Sequence, residues 1–420
     1  MAVVTSAWFI IRTLWHATCC WIAYMMGQPR GSCIVRFADA LARMNVFYVK
    51  ALQIVASDTA LLTDSDASHI SRYANSVPVA ASDLDETWRG TLKQVASENP
   101  DLAITTGDNA RPVFAGTIAV VYEGDMRGNK VVIKVQRRGV GGELQKAFAE
   151  FAALLRLVGY VFSLQNLNLA AVLEDNEESL MAQIDFQREV ESQNRISHNF
   201  RNVDYVWIPR VYRQFTDTNP RMIVMDYVGG ATAANVADSE RDEYAVLFAR
   251  CVSKCVLFDR FYHADLHTGN VRFVERSGKK NVALLDFGLM GEMTMSEQDS
   301  MYRAHKCFIA RDWEGVAKAA IEHFVEPRDV ADSLSPASRR RLISAIAEVV
   351  ATPASEDMSP RALLELSGTL RPFGLFLARS FSRMQLALCA SSSVHAGLGM
   401  TLNFREAMEK AVARNTVWEF

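Results

Sequence analysis

Three side chains in this sequence carry chemistry by type and spacing: Asp265, Asn270 five residues on, and Asp286 about twenty residues later. They lie in residues 263–270, which read HADLHTGN, and in residues 284–288, which read LLDFG. Their oxygens suit a hard cation such as magnesium held against nucleotide phosphates. Asp265 then stands beside the reacting group, with Asn270 and Asp286 as metal ligands, and the chemistry is phosphoryl transfer. Each stretch is entered from an apolar run, and the two occur in the required order. His263 and His267 are four apart, but a loop ending in Gly-Asn lacks the helical geometry that would put them on one face. Neither is read as a metal ligand.

Positioning these groups takes strands and a helix. Residues 113–123 (VFAGTIAVVYE) and 130–136 (KVVIKVQ) are rich in β-formers and joined by a turn at 124–129, which predicts a hairpin. Lys134 falls late on its second strand, where a lysine among valines and an isoleucine calls for an anion. A helix over about 177–199 carries Asp185 and Glu189 four apart on one face, and Glu189 is the natural partner for Lys134. A strand at 222–225 runs into Asp226-Tyr227-Val228-Gly229-Gly230, so the backbone of Met225, Asp226, Tyr227 and Val228 is where an adenine ring would be met. Upstream, 35–62 has a helical apolar pattern that puts Lys50 and Gln53 on one side, and 64–75 and 82–97 read as short helices. Residues 139–169 form a helical insert. Beyond 239 the chain reads as helices at 239–262, 296–310, 312–323, 337–351, 360–370 and 380–410, with Asp312-Trp313 and Pro327 as starts and stops.

Composition narrows the field. The 420 residues are half apolar, enough for two or three domains with large cores. A net charge of −3 gives no basic field, which argues against nucleic acid as the main partner. Seven cysteines without a C-x-x-C pair indicate a reducing interior, and Cys251 and Cys255 read as helical core rather than as a metal pair. The first 38 residues contain no acid, carry Arg12, Arg30 and Arg36, and are rich in aromatic and branched side chains. A targeting presequence, a membrane anchor and a helix packed on the following domain all fit that start.

Taken together, the motifs resemble the UbiB/AarF/ADCK family of atypical, protein-kinase-like kinases over roughly residues 37–410. The family pattern H-A-D-x-H-P-G-N is similar to HADLHTGN, its L-L-D-F-G is present at 284–288, and its V-K-V-Q-R-P-G resembles IKVQRRGV at 133–140. Its E-x-D-Y-x-x-E resembles residues 183–189, with Gln183 for the first acid and Asp185 retained; its K-x-G-Q resembles 50–53, with Leu52 for the glycine. Its alanine-rich nucleotide loop resembles 114–118, so Ala115, Gly116 and Thr117 are the nucleotide-loop residues, with Gly116 where much of the family has alanine. Residues 396–399 (AGLG) resemble the E-G-L-G of the branch that includes animal mitochondrial members.

The resemblance implies an α+β, two-lobed kinase-like fold with a small β-rich N-lobe, a helical C-lobe and a helical extension packed over the active site. It divides the chain into 1–36, a targeting or membrane-associated segment; 37–110, the extension with the K-x-G-Q-like motif; 111–228, the N-lobe with its insert; and 229–420, the C-lobe. It implies ATP and magnesium as cofactors, a lipid or quinone-like small molecule, a membrane surface and a biosynthetic complex as partners, and ubiquinone biosynthesis or lipid homeostasis as the process. Location is then a membrane, mitochondrial or that of a plastid or another compartment. Lys134, Glu189 and Asp265 would be catalytic; Lys50, Gln53, Gln183 and Asp185 would gate the site. Three readings stand: an ATPase or small-molecule kinase; a nucleotide-binding pseudokinase that switches a lipid-facing or scaffolding surface, kept open by Leu52 and Gln183; and a conventional Ser/Thr protein kinase. The last is disfavoured because no A-P-E follows Asp286, and Gly291 runs almost directly into the next helix.

Overall fold

The computed structural model describes residues 2–45, 47–48, 51, 94–104, 112–161, 177, 181–356, 358, 360–399 and 404–413. Lys50, Leu52 and Gln53, and the helices expected at 64–75 and over most of 82–97, lie outside the described residues. The fold is mixed α+β, with helices before a β-sheet core and a mostly helical C-terminal region. The chain divides into two units, Met1–Val190 with Val211–Tyr227, and Glu191–Arg210 with Val228–Phe420.

The first unit is built on an antiparallel sheet. Strands β1 (Leu102–Ile104), β3 (Ala119–Met126), β4 (Asn129–Gln136) and β6 (Met222–Asp226) lie in that order, and β2 (Phe114–Ala115) pairs with β3. The single strand expected over 113–123 is therefore two, separated at Gly116, whose N–H donates to Ala119 O at 2.8 Å. The β3–β4 turn places Arg127 and Gly128 at φ 53° and 83°, the handedness that matches strand twist in a two-residue hairpin. Alternation along β4 buries Val131, Ile133 and Val135 on one face and turns Lys134 to the other. On that second face Phe186 and Val190 pack with Ala119 and Ile223.

Helices α1 (Ala2–Met25) and α2 (Arg30–Met44) pack with the Val140–Val161 helix in a separate apolar cluster. Phe9 is its N-terminal anchor, with ring centroids 4.2 Å from Tyr48 and 6.3 Å from Phe151. Tyr48 donates its hydroxyl to buried Glu150, and burial together with that bond pushes the Tyr48 phenol up. The helix read over 35–62 is interrupted: the Arg30–Met44 helix ends at Asn45, and Phe47, Tyr48 and Ala51 are helical again. Asn45 takes an extended backbone, accepts the Phe47 N–H at 3.0 Å and donates to Glu143 at 2.9 Å, the local competition that ends helices at asparagine. The opposite side of α1 exposes Trp8, Ile11, Trp15 and Trp21. Among the described residues no helix is long and apolar enough to cross a membrane.

The second unit surrounds the Arg241–Leu257 helix, most of whose side chains are buried. Strands β8 (Val271–Arg276) and β9 (Lys279–Leu284) form a hairpin, and β5 (Val206–Trp207) adds to β9 in parallel. Strands β7 (Phe261–His263) and β10 (Met290–Glu292) pair antiparallel. Helices Met295–Ile309, Trp313–His323, Pro336–Val350 and Pro360–Leu370 follow near the expected places, and Asp312 caps the second by accepting Gly315 N–H at 2.9 Å. The helix expected over 380–410 is instead two, Arg379–Gly397 and Phe404–Ala413. Gly399 has φ +65°, and its N–H returns to Ala396 O at 2.9 Å, a left-handed helix end that glycine permits. Cys251 and Cys255 are core residues of the central helix, and the hydrogen bond between them and burial raise the Cys255 thiol.

Candidate active site

In the first unit, Lys134 Nζ lies 2.8 Å and 2.9 Å from the two carboxylate oxygens of Glu189. Glu189 is 1% exposed, so the pair is desolvated and tightly held. Phe186, Glu189 and Val190 share one side of the Phe186–Asn199 helix at spacings of three and four, so the apolar contacts that dock the helix also deliver the carboxylate.

The helix begins later than its sequence pattern predicts. Residues 183 and 184 form a turn, and Asp185 is not on the helical face with Glu189. Its Oδ1 accepts the N–H groups of Gln187 and Arg188 at 3.0 Å and 3.1 Å, so Asp185 is an N-cap. A carboxylate acceptor just before the first turn satisfies donors that would otherwise be orphaned, which fixes the start at Phe186. Gln183 is half-buried in the turn, and Gln136 holds that turn by donating to Ile184 O at 2.6 Å.

Ala115, expected with Gly116 and Thr117 to form a nucleotide loop, ends β2, and Gly116 and Thr117 lead toward β3. Arg137 donates through Nε to Gly116 O at 2.9 Å, and its N–H donates to Ile118 O at 2.8 Å. Arg137 thus clamps the loop, a role that its place three residues after Lys134 does not by itself reveal. A Cβ added at Gly116 would meet nothing closer than 3.6 Å, so the backbone tolerates alanine there. At the end of β6, Asp226 accepts the Tyr212 hydroxyl at 3.0 Å. The Tyr227 N–H donates to Lys130 O at 2.9 Å and is not available to an adenine ring. Met225 pairs with Val132 inside the sheet, and Val228 is buried in the second unit.

In the second unit, His263 organises the loop that bears Asp265 and Asn270. Its Nδ1 accepts the Asp265 N–H at 3.1 Å, which makes Nε2 the protonated nitrogen, and Nε2 donates to Leu285 O at 3.1 Å. Burial lowers the His263 pKa, so the ring stays neutral as that pattern requires. Asn270 donates through Nδ2 to Asp265 O at 2.9 Å, and its own carbonyl accepts the Leu285 N–H at 2.8 Å. Asp265, Asn270 and Asp286 are therefore held in one hydrogen-bonded frame. Asp286 has φ +55°, a left-handed backbone uncommon for a non-glycine residue, and its Oδ1 accepts the Gly288 N–H at 3.2 Å.

The donor set fits a hard divalent cation. With Nδ2 engaged, Asn270 offers its amide oxygen, and Asp286 offers a carboxylate; magnesium takes few protein oxygens and completes its shell with phosphate and water. The passage from Asp286 to the next helix is short: β10 pairs with β7, then Thr294 caps the Met295–Ile309 helix in a reciprocal capping box with Glu297. Gly291 is required in β10, because a Cβ there would meet the Tyr262 ring at 2.3 to 2.6 Å.

The model of the ABC1 atypical kinase-like domain matches residues 106–320, just over half of the sequence. The chain belongs to this family. Its ABC1-family relatives include the probable protein kinases UbiB of Shewanella baltica and Shewanella oneidensis, each 26% identical over 357 residues. Each alignment covers 81% of this chain and 62% of the relative, so the chain spans about three-fifths of the length of these curated relatives. Among solved structures, the complex of Rv3197 with erythromycin from Mycobacterium tuberculosis is similar over 84% of this chain and 90% of its own, at TM-score 0.42 and 13% identity.

Proposed function

We propose that this ABC1-family chain binds Mg-ATP and hydrolyses it or transfers its γ-phosphoryl group to a small, lipid-like hydroxyl. The observation that carries the reading is the frame in which His263 ties the Asp265 N–H to Leu285 O while Asn270 bonds Asp265 O. A frame of this kind fixes three oxygen-bearing groups before substrate arrives, and preorganisation is the main protein contribution to phosphoryl transfer.

Magnesium held by Asn270 and Asp286 would neutralise the phosphate charge. Asp265 orients the attacking hydroxyl or water and accepts its proton. Lys134 pairs with the α/β-phosphates, and Glu189 holds the lysine extended toward them. The brief passage from Asp286 to the Met295 helix start supports a small acceptor over a protein chain.

The resemblance to the UbiB/AarF/ADCK family supports a role in ubiquinone biosynthesis or membrane lipid homeostasis. A membrane surface as partner is supported by α1, which exposes Trp8, Trp15 and Trp21 and stacks Arg12 over Trp8 at 4.6 Å. A mitochondrial, plastid or other membrane fits this equally.

The test measures thermal stabilisation by ATP with and without magnesium, then phosphate release, for wild type and Asp286→Asn. Magnesium-dependent stabilisation and turnover, both lost in the variant, is the expected result. Stabilisation without turnover in wild type would leave a nucleotide-binding module. Turnover retained by Asp286→Asn would remove the metal assignment.

A further inference from the structure

The second unit contains an apolar cavity of about 110 Å³ that shares no residue with the loop that bears Asp265 and Asn270. It is walled by the Arg241–Leu257, Met295–Ile309, Trp313–His323, Pro336–Val350, Pro360–Leu370 and Arg379–Gly397 helices. Phe308, Phe324 and Phe381 supply aromatic walls, and Met301, Met358 and Met408 supply adaptable ones. Among the described residues no Asp, Glu, Lys or Arg lines it. A dry apolar cavity of about 150 Å³ binds benzene; this one is smaller but not fully enclosed, so a compact body of about one ring suits it.

Two polar atoms at this cavity are anomalous. Ser253 Oγ and His305 Nε2 are buried, and neither has a hydrogen-bond partner among the described residues. A helical serine ordinarily returns its hydroxyl to a carbonyl one turn back, as Ser391 does to Ala387 O at 2.9 Å. Ser253 lies on the Arg241–Leu257 helix and His305 on the Met295–Ile309 helix, so two different walls each bring an unpaired polar atom to the same space. Buried polar groups are normally paired, and unpaired ones in an apolar setting point to a missing partner.

We propose that this cavity binds an uncharged, compact apolar molecule carrying one hydrogen-bonding oxygen, which Ser253 and His305 engage. Serine donates or accepts, and a neutral imidazole nitrogen does either according to tautomer, so a hydroxyl or a carbonyl oxygen is satisfied by the pair. Burial lowers the His305 pKa to about 4, which keeps the ring neutral near pH 7 and leaves an anion without a counter-charge. Cys389, also on the wall, is pushed up to about 12 by burial and remains a thiol.

The experiment titrates the full chain with cyclohexanol, methylcyclohexane and cyclohexanecarboxylate by ligand-observed NMR. Cyclohexanol is expected to bind saturably, and the carboxylate at least about tenfold more weakly. Ser253→Ala should weaken cyclohexanol about fivefold and leave methylcyclohexane unchanged. Ala320→Phe, which adds a ring to the wall, should abolish binding of both, with a cooperative melt showing that the variant is folded. Absence of saturable cyclohexanol binding to wild type overturns the proposal. So does equal affinity for the carboxylate, or cyclohexanol binding that both folded variants keep unchanged.

Discussion

His263 Nε2 donates to Leu285 O at 3.1 Å, and with the Leu285 N–H bond to Asn270 O it ties the loop bearing Asp265 to the strand end bearing Asp286. The ring's other nitrogen receives the Asp265 N–H at 3.1 Å, so a single neutral imidazole serves both. His263→Ala should leave a buried carbonyl and a buried N–H without partners and cost about 2–4 kcal/mol, read by urea denaturation. ATP turnover should fall on the order of a hundredfold through misplacement of Asp265. Full turnover in the variant would show that the frame does not depend on this ring.

Lys134 and Glu189 are desolvated together. Glu189→Gln strands the lysine charge and should destabilise the fold by about 3 kcal/mol. The double replacement Lys134→Met, Glu189→Leu should recover most of that stability and still lack turnover. Chemical denaturation of both variants beside an ATPase assay separates the structural cost from the chemical one.

Asp185 caps a helix in this structure. Asp185→Ala should cost about 1 kcal/mol, whereas Asp185→Asn, which keeps an acceptor oxygen, should be nearly neutral. Turnover of Asp185→Asn should stay within about twofold of wild type, since a surface exchange that keeps the cap changes little else. A large loss of turnover in a stable Asp185→Asn protein would assign the carboxylate the gating role beyond its cap.

His305 carries a pH signature. Burial alone holds its pKa at about 4, against 6.5 for a solvated histidine. The unfolded chain therefore binds the proton first, so stability is fully present above about pH 6.5 and is lost as pH falls toward about 4. The loss amounts to about 3 kcal/mol, and His305→Phe should abolish that part of the pH dependence. Denaturation midpoints of wild type and variant across pH 4–7 make the comparison. Cys389 on the same cavity does not titrate in that range.

Much of this protein was legible from residue type and spacing. A hairpin with Lys134 on its second strand, helices after residue 239, and the pairing of Lys134 with Glu189 follow from local periodicity and from the cost of an unpaired charge. The type and order of Asp265, Asn270 and Asp286 pointed to phosphoryl chemistry because few side chains can hold a hard cation.

Some helix ends were not legible, because they turn on one competing hydrogen bond. Asp185 looked like a face residue and is a cap, Asn45 ends a helix whose apolar pattern continues, and Gly399 divides what read as one helix. The Arg137 clamp on Gly116, the His263 link to Leu285 and the left-handed Asp286 each join groups through backbone atoms that every residue shares. Sequence carries side-chain identity, so it named the chemical groups; their hydrogen-bonded frame and the unpaired Ser253 and His305 at one cavity exist only once distant segments pack together.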